Sequence, residues 1–187
     1  MGPVIYISLL VLELLFLASV TIYLAFLIYS SIMGSPYVPS TNKQVVSLLA
    51  LIKPKRKTKI LELGCGDGRF LRLAAKQYHC TGLGIDINPV VLLKARLLTH
   101  FQKLKNIKFE NRNIFKQPFV GYDLVYLFLM PKLLGQIAPQ IKKEMKPSTL
   151  VISHGFKIPT CDKYITRVVQ SHPFDSYFYR FPKSKRG

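Results

Sequence analysis

Lys59 to Arg69 reads K-I-L-E-L-G-C-G-D-G-R, and Gly84 to Pro89 reads G-I-D-I-N-P. The first run is a short apolar strand that enters a glycine-rich turn, with Glu62 just before the turn and Asp67 inside it. The second is another apolar strand closed by an acid, Asp86, before a proline suited to the first turn of a helix. Strand, glycine turn, helix and second strand form the unit from which parallel sheets are wound, and few other folds accommodate it. Glycine at 64, 66 and 68 removes the Cβ where a ligand or a neighbouring element must come close.

The alternation continues along the chain. Helical patterning covers 69–77, 89–101 and 133–145, and apolar runs bounded by Gly, Pro and Asn cover 81–85, 107–110, 123–129 and 149–153. Asp123–Leu129 is apolar almost throughout, as a strand covered on both faces should be. Two further strands are expected at 164–169 and 177–181, and a helix at 42–52. The expected fold is α/β, a doubly wound, Rossmann-like sheet of seven strands with its ligand at the carboxyl ends.

The spacing G-x-G-x-G differs from the G-x-G-x-x-G that opens a helix onto a pyrophosphate. Glu62 and Asp67 flank the turn, and carboxylates there disfavour a diphosphate while suiting an ammonium and a sulfonium. S-adenosylmethionine fits these charges and NAD fits them poorly. The acid that closes the second strand, Asp86, is positioned to accept the ribose hydroxyls. Glu62, Asp67, Asp86 and Asp123 are all expected in or beside the site. Cys65, Cys80 and Cys161 show no C-x-x-C spacing and no accompanying His cluster, so neither a metal nor a disulfide framework is expected. Cys65 reads as a packing residue within the turn.

Before this domain the composition changes. From Val4 to Met33 there is no Lys, Arg or Asp, and Glu13 is the only acid. Leu14 to Met33 alone supplies 20 residues with only Ser and Thr as polar interruptions, enough to cross a hydrocarbon core. A cleaved signal peptide has a basic leader and a shorter apolar stretch, and this segment has neither feature. The expected organisation is a transmembrane anchor at 1–33, a breaker-rich linker at 34–42 and one domain at 43–187. All 27 Lys and Arg residues lie at Lys43 or later. The positive-inside bias then predicts a single-pass protein with its domain cytoplasmic and its N-terminus outside. In that frame Glu13 falls at the outer boundary of the span. The basic surface is expected to face an anionic membrane; nucleic acid is the less favoured partner.

The motifs L-E-L-G-C-G-D-G-R, G-I-D-I-N-P and D-L-V-Y-L-F-L-M-P resemble those of the class I, seven-strand S-adenosylmethionine-dependent methyltransferases, over essentially residues 43–181. More narrowly, the chain resembles the membrane-anchored protein-lysine methyltransferases related to those acting on mitochondrial ATP synthase and the adenine nucleotide translocase. That likeness rests on P-Y-V-P-S at 36–40 after the apolar segment, on G-D-G-R, and on F-L-M-P at 128–131. The resemblance implies a cofactor site of Glu62, Gly64, Cys65, Gly66, Asp67, Asp86 and Ile87, with Asn88 supporting the loop and Asn113 facing adenine. It also implies an acceptor slot bordered by Tyr37, Tyr126 and Phe128, in which aromatic walls desolvate a lysine and favour its neutral form. His154 is read as a satisfied neighbour and not as the base. The expected function is methylation of a lysine in a membrane or membrane-adjacent protein. Methylation of a lipid, quinone or other small molecule is the enzymatic alternative, and a non-catalytic cofactor-binding scaffold is the third.

Overall fold

The computed structural model describes residues 2–32 and 41–182. Helix α1 spans Gly2–Ile32, nearly the whole of the expected anchor at 1–33. Residues 4–12 are as apolar as those that follow, and Pro3 sits in the first turn, where a missing N–H breaks no helical bond. Within α1, Gly2–Ala25 is long and apolar enough to cross a membrane, at a mean hydropathy of 2.3 and with none of that stretch buried against the protein. At 1.5 Å per residue it measures about 36 Å. Glu13 lies within this helix. The polar interruptions bond to their own helix: the hydroxyls of Ser8, Ser19 and Thr21 donate to the carbonyls of Val4, Phe16 and Leu17 at 2.9, 2.7 and 2.8 Å. Such back-bonding satisfies these three hydroxyl donors within the helix itself.

The remaining elements are α2 (Asn42–Ile52), β1 (Lys59–Leu63), α3 (Arg69–Tyr78), β2 (Thr81–Asp86), α4 (Pro89–Phe101), β3 (Ile107–Asn111), β4 (Leu124–Leu127), α5 (Pro131–Glu144), β5 (Leu150–His154), β6 (Ile165–Val169) and β7 (Ser176–Tyr179). Helix α2 starts on a capping box. Thr41 accepts from the Gln44 N–H at 3.3 Å, and Gln44 Oε1 accepts from the Thr41 N–H at 2.9 Å.

One seven-stranded sheet has the order β3-β2-β1-β4-β5-β7-β6. β1 to β5 run parallel, and β7 enters antiparallel between β5 and β6. The chain moves outward from β1 through β3, then returns to β4 on the other side of β1. That reversal opens a crevice at the carboxyl ends of β1 and β4, where ligands of such sheets bind. Leu63 is level with both Ile85 and Leu127, so the loops leaving β1, β2 and β4 emerge together.

The strands are buried on both sides, as continuous apolar runs predict. Leu61, Leu63, Val125, Leu127 and Val151 pack under α5, while Ile60, Leu124, Tyr126 and Ile152 pack toward α2, α3 and α4. β4 is shorter than the expected 123–129. At its start Asp123 Oδ2 accepts from the Lys59 N–H at 2.8 Å, and after Leu127 the chain leaves the sheet toward α5. This bond fixes Asp123 at the amino ends of β1 and β4, the far side of the sheet from the glycine turn. Asp123 is therefore not a site acid, contrary to the sequence expectation.

Candidate active site

The turn after β1 is held by backbone geometry. Gly64, Gly66 and Gly68 all have positive φ, at 67°, 53° and 68°. Gly68 has a second reason to be glycine, because a Cβ there would lie 2.2 Å from the Phe109 ring. The Cys65 N–H donates to Ile85 O at 2.9 Å, and the Gly68 N–H donates to Cys65 O at 2.8 Å. These bonds dock the turn on β2.

Asp86, the last residue of β2, joins the turn to the next loop. Its Oδ2 accepts from the Gly66 N–H at 2.8 Å and its Oδ1 from the Asn88 N–H at 2.9 Å. Burial raises its carboxyl above the ordinary range, and the N–H groups of Asn88, Gly66 and Ile87 pull it back. Asn88 also caps α4, accepting from the Val90 N–H at 2.9 Å, so it supports the loop as expected. Ile87, more than a third exposed, is held through its carbonyl. Asn111 Nδ2 donates to Ile87 O at 2.8 Å and to Asp86 O at 3.2 Å. Asn111 was not anticipated, although β2–β3 register sets it level with Asp86.

Glu62 is buried beneath the turn, and its Oε2 accepts from the Leu71 N–H at 3.1 Å. Gly68 brings no side chain to cap α3, so Glu62 supplies that acceptor from β1. Burial, reinforced by Asp67 and opposed by the Leu71 N–H, pushes its carboxyl up to about 8. Dinucleotide folds present a pyrophosphate at this helix N-terminus; here a protein carboxyl group already occupies it.

Asp67 is 4% exposed and sits among cations. Arg69 Nη2, Lys94 Nζ and Arg72 Nη2 lie 3.1, 3.5 and 3.9 Å from its carboxylate, and Arg72 Nε donates to its carbonyl at 3.1 Å. Its charge is thus balanced within the protein, and Glu62 stands against a diphosphate by occupying the α3 N-terminus and not by its charge. Arg72 and Lys94 could not be foreseen, because one reaches back from inside α3 and the other comes from α4. Cys65 is buried, and burial with the nearby Glu62 and Asp86 carboxylates raises its thiol well above the ordinary value, which suits packing. Asn113 caps a 3-10 turn at Ile114–Lys116, its Oδ1 accepting from the Phe115 N–H at 3.0 Å.

The end of β4 meets the turn directly: a Cβ at Gly64 would lie 2.6 Å from the Leu129 side chain. Phe128, half-buried, has its ring centroid 4.8 Å from that of His154 and 5.2 Å from that of Phe174, both edge-on. Tyr126 is buried and stacked on Phe70 at 3.8 Å and 2°. His154 ends β5; its Nδ1 lies 2.8 Å from Ser176 Oγ, and its Nε2 has no hydrogen-bond partner among the described residues. Burial pulls its imidazole down to about 4, against the opposing influence of Asp175. Tyr37 lies outside the described residues.

A nucleoside with a positively charged tail suits this arrangement. The carboxylate of Asp86 faces the turn's backbone, the only side chain between Gly64 and Gly66 is an inward thiol, and no phosphate-binding N-terminus is free at α3. Residues 62–164 match the ANTKMT methyltransferase domain family. The chain belongs to this family. Among similar proteins is the protein-lysine N-methyltransferase of Saccharolobus islandicus (strain REY15A), 32% identical over 127 residues, 66% of this chain and 78% of that one. The adenine nucleotide translocase lysine N-methyltransferase of Mus musculus is 27% identical over 128 residues, 67% of this chain, and the match spans 55% of its length, a little over half. The RNA methyltransferase from Salinibacter ruber, solved with S-adenosyl-L-homocysteine, superposes with a TM-score of 0.73 at 25% identity, covering 80% of this chain and 97% of that one. The protein is an S-adenosylmethionine-dependent methyltransferase.

Proposed function

We propose that this enzyme is a protein-lysine N-methyltransferase, held at a membrane by α1, that acts on a membrane or membrane-adjacent protein. The observation that carries the lysine assignment is the 32% identity across 78% of an archaeal protein-lysine N-methyltransferase. The aromatic group at the end of β4 agrees with it. The cofactor supplies an electrophilic methyl group on a sulfonium. Asp86 holds the ribose hydroxyls at its carboxylate and fixes Gly66, Ile87 covers the adjoining face, and Glu62 and Asp67 flank the turn of Gly64, Cys65 and Gly66 that receives the methionyl part. Asn113 borders the adenine.

On the acceptor side, the chain's task is to bring a lysine amine forward in its neutral form. An imidazole held near 4 is too weak a base to keep a proton from an amine of ordinary pKa about 10.4. Deprotonation then falls to desolvation by Phe128 and its neighbours, with Tyr37 from the preceding segment as a further wall. Tyr126 backs the slot through its stack on Phe70. The hydropathy and length of α1 support the anchor. The confinement of all 27 Lys and Arg residues to positions from Lys43 onward supports a cytoplasmic domain with the N-terminus outside.

Incubating native membranes with the full chain and methyl-tritiated cofactor tests this reading. Label in a protease-sensitive band that hydrolyses to methyl-lysine is the expected result. Label extracted into organic solvent would assign a lipid or quinone acceptor. Label lost to ribonuclease would assign RNA, a reading favoured by the excess of cations and the Salinibacter ruber neighbour. No labelled product would leave a scaffold.

A further inference from the structure

Helix α4 carries apolar side chains on the face turned away from the sheet. Leu92, Ala95 and Thr99 are buried, whereas Leu93, Leu97 and Phe101 are 56%, 50% and 76% exposed. Spaced every fourth residue, these three drift only about 40° per step and form one continuous stripe. Val90 lies within it, and Arg96 and His100 border it. From Ile87 to Phe109 the sequence contains Lys94, Arg96, Lys103, Lys105 and Lys108 and no acid. Lys94 is paired with Asp67. None of the other four forms an ion pair among the described residues, and Arg96 donates only to the Phe109 carbonyl, which leaves its charge intact. Beside the stripe, Arg96, His100 and Lys108 line a shallow groove that Glu110 also borders.

We infer that the exposed face of α4 docks on an anionic lipid surface, with Leu93, Leu97 and Phe101 entering the headgroup boundary and Arg96, Lys103, Lys105 and Lys108 meeting lipid phosphates. An apolar stripe edged by cations is the pattern of helices that lie in a membrane interface. Charge decides the occupant. The acid that borders this face, Glu110, is already paired with Arg112, so the face repels other basic surfaces, including a second copy of this +18 chain, and is drawn to phosphate-bearing bilayers. The inference rests on the membrane-anchored reading and adds which side of the domain meets the bilayer.

The chain contains no tryptophan, so Phe101→Trp introduces a single reporter on the stripe. Val168→Trp places one on β6, the opposite sheet edge from β3, six strand spacings or about 29 Å away. The full chain carrying either reporter is reconstituted into phosphatidylcholine vesicles with or without phosphatidylglycerol, the lipids being brominated high in the acyl chains. At least a twofold loss of emission is expected for Phe101→Trp in the anionic vesicles. Less than half that loss is expected in neutral ones, and little at Val168→Trp. Leu93→Gln with Leu97→Gln should abolish the quenching, while calorimetric binding of S-adenosylhomocysteine in lipid-free detergent stays at the parent's value, which shows the fold intact. Equal quenching at both reporters, or at both lipid compositions, would overturn the inference while leaving the anchor standing. So would reporter emission already blue-shifted, in a concentration-dependent way, before lipid is added, because that assigns the face to a second copy. A chain that fails to float with vesicles at all would overturn both the anchor and this face.

Discussion

Asp86 ties two loops together through both of its carboxylate oxygens. Asp86→Ala removes the proposed ribose acceptor and orphans the N–H groups of Gly66 and Asn88. Cofactor affinity should fall about 10- to 100-fold, read by calorimetry with S-adenosylhomocysteine; a change within twofold would exclude Asp86 from the site. Glu62 predicts a pH dependence with a definite sign. Its carboxyl titrates near 8 in the folded chain against an ordinary 4.5, so the folded state binds the extra proton between those values. The contribution to stability is full below about 4.5 and is lost as pH rises through about 8. Glu62→Gln keeps an oxygen for the Leu71 N–H but cannot titrate. The urea midpoint of the variant relative to the parent should therefore climb from pH 5 to pH 8.5. His154 has the opposite sign. Its folded value near 4 lies below the ordinary 6.5, so its contribution is full above 6.5 and lost as pH falls toward 4. His154→Gln should flatten that acid limb in the same titration. The rise of methyl transfer with pH should persist in His154→Gln if the acceptor amine, and not the imidazole, sets it.

At the level of elements, the glycine turn is over-determined. Gly68 needs a left-handed backbone and has the Phe109 ring where a Cβ would stand. Gly68→Ala should destabilise the domain by about 2–4 kcal/mol and weaken cofactor binding with it. A shift of less than about 1 kcal/mol in urea unfolding would mean the turn can relax. Most elements were legible in the sequence to within a residue or two, because apolar runs cut by Gly, Pro and Asn signal buried strands strongly. Asp123 was misplaced for a reason particular to strands. An acid at a strand's start and one at its end look alike in linear sequence, and only the pairing of β4 with β1 separates them. The companions of Asp67 and the Phe174 and Ser176 neighbours of His154 depend on contacts between distant segments. Those of His154 arise because β7 inserts antiparallel beside β5, and nothing local encodes that insertion.

For the molecule as a whole, the proposed anchoring role of α1 predicts an integral protein. On alkaline carbonate extraction of expressing membranes the full chain should stay in the pellet, and a chain without residues 2–32 should move to the supernatant. Release of the full chain would remove the anchor from the account. The domain's charge then matters less for holding the enzyme at the bilayer than for orienting it there. Lys94 gives that orientation a chemical outlet. It extends from α4 to Asp67 within the cofactor turn, so the rod that rests on lipid also braces the loop that grips the nucleoside. Detergents that strip phospholipid from this rod should change how tightly the enzyme holds its methyl donor without entering the donor's pocket.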